Sequence, residues 1–98
     1  MGNNFFISYD LLLPGQNYLA VHDAVTSLGR WYKFQYSLYY VNTALSRSEA
    51  FRLVRAAMDW NDRLIVIDAH GATVDGVTQA DIDAVNAVWF GTAASKAA

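Results

Sequence analysis

The 98 residues carry 7 Lys plus Arg against 9 Asp plus Glu, a formal charge of −2, with 54% apolar residues that include three Trp, six Tyr and five Phe. A chain of this length makes one domain and buries only about 60–65% of the surface its unfolded form exposes, so stability must come from dense packing or from a partner subunit. The lack of cysteine excludes disulfides, thiolate catalysis and Cys-ligated zinc or iron–sulfur sites, and a cytoplasmic protein is the plain reading.

The early apolar stretch Leu11-Leu12-Leu13 is closed by Pro14, far short of the roughly 20 residues a membrane span needs. Met1 to Asn4 has no basic character, so neither a signal peptide nor a membrane partner is expected. The basic residues are dispersed over Arg30, Lys33, Arg47, Arg52, Arg55, Arg63 and Lys96. That spread argues against a strong phosphate-tracking face while leaving nucleic acid open as a partner.

Asn4 to Leu12 alternates aromatic and branched side chains, which predicts a strand with Phe5, Ile7 and Tyr9 on one face and Phe6, Ser8 and Asp10 on the other. Pro14-Gly15 is a turn signal, and Asn17 can cap a helix over Tyr18 to Leu28 whose stripe is Tyr18, Val21, Val25 and Leu28. Gly29 then suits a left-handed helix end. Arg30 to Asn42 returns to period two and predicts a bent strand or hairpin turning near Gln35-Tyr36-Ser37.

Ser46 and Glu49 form a capping box for a second helix reaching about Asp59, with Phe51, Val54 and Met58 inward and Arg47, Arg52 and Arg55 in water. Asn61-Asp62 turns the chain. Arg63 to Ala69 is nearly continuously apolar and reads as a central strand. The order strand, helix, strand, strand, helix, strand predicts an α+β, ferredoxin-like βαββαβ antiparallel sheet over residues 1–70, with both helices on one face. Residues 71–98 are expected to add a Gly-punctuated loop, a third helix over Gln79 to Phe90 and an Ala-rich tail on the same domain. In that helix, Ile82, Val85, Val88 and Trp89 form the stripe, and Asp81 and Asp83 favour the N-terminal end.

Two short helices cannot cover Phe6, Tyr32, Phe34, Tyr36, Tyr39 and Tyr40 together. The expectation is therefore a homodimer that buries the open sheet face or extends the sheet across an edge.

Ile7-Ser8-Tyr9-Asp10-Leu11, then Leu13-Pro14-Gly15-Gln16-Asn17-Tyr18 and Ser27-Leu28-Gly29-x-Trp31, resembles the SinR-like family of small ferredoxin-fold proteins. Gln35-Tyr36-Ser37-Leu38-Tyr39, running through Leu45-Ser46 into the second helix, is similar to the wider superfamily of Cas-two-like CRISPR-associated spacer-acquisition proteins and VapD-like ribonucleases. The resemblance covers roughly residues 5 to 69. It implies a homodimer in which strand-end aspartates approach across a two-fold axis, and in catalytic members that pair holds a divalent metal for phosphodiester cleavage.

Asp10 matches that position. As catalytic residue and metal ligand it would share Mg²⁺ or Mn²⁺ with its copy, since crowded carboxylates repel and hard cations prefer oxygen. Arg30 and Lys33 are the nearby candidates for holding phosphate. Against this, the segment after Asp10, Leu11 to Asn17, has no Lys or Arg. A strand-end carboxylate also commonly accepts backbone N–H bonds. His22 lies off its helix stripe and reads as a surface residue, whereas His70, at a strand end before Gly71, is a candidate for ligand binding or proton transfer.

The motifs of P-loop, Rossmann, esterase and zinc-protease chemistry do not occur. The sequence thus favours a homodimeric scaffold or interaction module without catalysis. A metal-dependent endonuclease, acting on RNA rather than DNA, is the alternative.

Overall fold

β1 (Asn3–Asp10) alternates as its sequence requires: Phe5, Ile7 and Tyr9 are buried on one face, and Phe6 and Ser8 are half-buried on the other. This is a computed structural model, and it describes residues 2–11, 18–35 and 37–91. The Pro14-Gly15 turn, the Asn17 cap, Tyr36 and the tail from 92 lie outside the described residues.

The further elements are α1 (Tyr18–Thr26), β2 (Gly29–Gln35), β3 (Leu38–Thr43), α2 (Arg47–Arg55), β4 (Arg63–Asp68) and α3 (Gln79–Phe90). The strands form one sheet in the order β2-β3-β1-β4, and every adjacent pair is antiparallel. β1 and β2 therefore run in the same direction with β3 inserted between them.

α1 and α2 cover one face. Val21 and Val25 from α1 and Ala50 and Val54 from α2 meet Phe5, Ile7, Tyr9, Tyr39 and Val41 in a single core. The capping box of α2 forms as its sequence predicts, with Ser46 accepting from the Glu49 N–H and Glu49 accepting from the Ser46 N–H. α2 stops at Arg55 rather than Asp59, because the Arg55 guanidinium turns to donate to the carbonyls of Trp60 and Asp62 and pins the following turn. Phe51, expected inside, is exposed, and Ala50 takes its place in the core.

α3 lies on the opposite face. Its capping box pairs Thr78 with Asp81, and Gly91 ends it in the left-handed conformation at φ 58°. Tyr40 lies between Phe6 and Trp89, with centroids 5.1 Å away on each side and the rings tilted by 34° and 33°. The Asn42 and Asn4 side-chain amides donate to the carbonyls of Val88 and Trp89, so β3 and β1 tie down the last turn of α3.

Four expectations need correction. The second face is not left open over β2 and β3, because the chain's own α3 packs there. Tyr39 does not belong to that face at all: it is wholly buried on the α1/α2 side. β4 is an edge strand rather than a central one, with Ile65 and Ile67 53% and 46% exposed. Gly29 has no positive φ; it is needed because a Cβ there would stand 2.2 Å from the Asn42 carbonyl oxygen on the neighbouring strand.

Candidate functional site

The residues singled out in the sequence do not converge. Asp10 is exposed at the end of β1, opposite Arg63 in register, on the sheet face that also carries Ser8 and Phe6. Arg30 is level with Asn42 and hence with Asn4, at the other end of the sheet, about 20 Å along the strands from Asp10. There it lies beside the C-terminus of α3, close to Gly91, where a cation complements the helix dipole. Lys33 is level with Tyr39 and Ile7 but on the opposite face of the sheet from Asp10.

His70 is exposed in the loop after β4, at the end of the sheet away from Asp10. An apolar cavity of ≈ 160 Å³ separates the second face from the segment around Val74, walled by Phe6, Tyr32, Phe34 and Tyr40, and His70 is not part of its lining. Among the described residues no group of three His, Asp or Glu side chains is placed to hold a metal ion. Within one chain, Asp10 alone therefore does not make a site for Mg²⁺ or Mn²⁺.

What the fold does bring together was not legible in the motifs. The alternation of β1 sends Tyr9 toward α1, the helical repeat places His22 one position from buried Val21, and β3 sends Tyr39 between them. His22 Nδ1 and the Tyr39 hydroxyl are 2.6 Å apart. Tyr39 is also hydrogen-bonded to Tyr9, whose hydroxyl is pushed well above the ordinary range, chiefly by burial and then by that bond.

The His22 ring is wedged between the edge of Trp31, centroids 5.4 Å apart, and the Tyr39 ring. The Lys33 ammonium stands over the same Tyr39 ring, 5.6 Å from its centroid. Tyr9, His22, Lys33 and Tyr39, together with Tyr18 and Leu19 but without Trp31, bound an open cavity of ≈ 500 Å³ between β3 and α1. The signal available in the sequence was the i, i+4 pair Tyr18 and His22 on a helix facing an aromatic strand. Treating His22 as a surface group missed it.

The edges of the sheet differ in kind. β2 carries an irregularity between Lys33 and Gln35 and a lysine, two features that discourage strand addition. β4 has neither: its middle reads Leu64-Ile65-Val66-Ile67. Because the Ala69 N–H donates to the Asn4 carbonyl, Ile67, Ile65 and Arg63 turn their backbone groups toward β1. Leu64, Val66 and Asp68 then present theirs to the outside.

No helix among the described residues is long and apolar enough to cross a membrane. No family model and no curated protein matches the chain. The fold is similar to the crystal structure of a hypothetical protein, TT1823, from Thermus thermophilus, with a TM-score of 0.62 and 20% identity over 79% of this chain and 94% of that one.

Proposed function

We propose that the chain is a ferredoxin-like protein of the SinR-like and Cas-two-like kind that works in the cytoplasm as a homodimeric interaction module without catalysis. The element order and the strand order β2-β3-β1-β4 support the ferredoxin-like assignment. The bare β4 edge carries the functional reading.

An antiparallel strand pair about a two-fold axis must set residues of equal parity opposite one another. Centring the axis on Val66 meets that condition and gives every outward N–H and C=O a partner: Val66 faces its own copy, and Leu64 faces Asp68 of the second molecule. In the same register Ile65 of each chain packs beside Ile67 of the other, covering the exposed isoleucines.

The same dimer separates the two Asp10 side chains. Each is opposite Arg63, three residues from the axis, so they stand about 20 Å apart along the strands alone and cannot share an ion. Edge pairing and a metal-dependent endonuclease built on an Asp10 pair therefore exclude each other.

Light scattering at about 50 µM should give a dimer for the wild type and a monomer for Ile65→Lys, with unchanged circular dichroism in both. Wild type and Asp10→Ala incubated with labelled RNA and Mn²⁺ should both leave it intact. Cleavage by the wild type alone would establish the endonuclease and refute the scaffold.

A further inference from the structure

The cavity between β3 and α1 has a one-sided chemistry. Besides its tyrosines, its ionisable and polar lining residues are His22, Lys33 and Ser37, and no carboxylate borders it among the described residues. The Lys33 ammonium stands over the Tyr39 ring, and the His22 imidazole is engaged at Nδ1 by the Tyr39 hydroxyl. At the mouth, Tyr18 and Leu19 are 54% and 68% exposed and offer an apolar wall to a flat group.

Large exposed side chains at a rim over buried polar groups are the usual construction of a small-ligand site, and ≈ 500 Å³ is in the range such sites occupy. The floor is also preorganised. Tyr39 is fully buried and held from two sides by His22 and Tyr9, so the imidazole is fixed in orientation before any ligand arrives.

We propose that this cavity binds a small planar anion, an aromatic ring bearing a single carboxylate or phosphate group, with Lys33 and His22 taking the charge and Tyr18 the ring. A charge-assisted bond to the ammonium anchors the acid group. The Tyr18 ring supplies stacking that a bare anion cannot use. The site is independent of the β4 edge and of Asp10.

Calorimetric titration with 4-hydroxybenzoate, phenyl phosphate, inorganic phosphate and phenol tests this. One of the two ring-bearing anions should bind saturably, and its identity tells carboxylate from phosphate as the source of the charge. Lys33→Met should weaken that binding about tenfold or more, and Lys33→Arg should restore most of it. Tyr18→Leu, at an exposed position where folding is not at risk, should weaken the ring-bearing anion and leave inorganic phosphate unchanged. The proposal fails if neither ring-bearing anion saturates by about 10 mM, if phosphate or phenol alone binds as well as they do, or if Lys33→Met and Tyr18→Leu are both without effect.

Discussion

The Tyr39 hydroxyl lies 2.6 Å from Nδ1 of His22, whereas the hydroxyl of its neighbour Tyr40, on the other face of the sheet, is buried without a hydrogen-bond partner among the described residues. Burial raises the Tyr40 phenol well above its ordinary range. One strand thus carries two adjacent tyrosines with opposite hydrogen-bond status, and removing each hydroxyl should act in opposite directions. Tyr39→Phe leaves His22 and Tyr9 with an unmet buried bond and should cost about 1–3 kcal/mol in urea unfolding. Tyr40→Phe removes a desolvated group that gains nothing and should be neutral or stabilising by up to about 1 kcal/mol.

Gly29→Ala should destabilise by about 1–3 kcal/mol, since the added methyl meets backbone rather than a movable side chain. Gly71→Ala, whose methyl group would stand in open space on a backbone without positive φ, should leave the urea midpoint unchanged. Equal effects at the two sites would mean that the Gly29 to Asn42 approach is not a constraint.

Much of the fold was readable because each element carried local evidence. The alternation of Phe5, Ile7 and Tyr9, the Ser46 and Glu49 box and the stripe containing Val88 each specify an element without help from the rest. What misled was burial inferred from hydrophobicity alone. Ile65 and Ile67 look like core residues, yet whether a strand is central depends on its neighbours in the sheet, and that is not a local property. The same limit applied to Tyr39 and His22: each is ordinary within its own element, and only the crossing of α1 over β3 joins them. Asp10 and Arg30 lie on different strands, and it is the register, which no local pattern reveals, that puts them at opposite ends of the sheet.

Acid should weaken the protein through its two helix caps. The Asp81 carboxyl is held below its ordinary 3.8 by the Tyr32 hydroxyl first and then by Thr78. Glu49 is held below 4.5 by the backbone and side chain of Ser46. A carboxylate whose folded value is depressed stabilises fully above its unfolded value and loses that contribution as pH falls through the folded one. The urea midpoint should therefore decline from about pH 5 to pH 3, and Asp81→Asn with Glu49→Gln should flatten that decline. An unchanged slope in the double variant would assign acid sensitivity to other groups.

The most direct measurement of the central claim is amide hydrogen exchange at Val66, whose N–H faces away from β1. Pairing of β4 with a second copy predicts that the Val66 amide is protected, that protection rises with protein concentration, and that Ile65→Lys abolishes it. Rapid exchange at Val66 at every concentration, alongside slow exchange at Ile65 and Ile67, would show an unpaired edge and contradict the account.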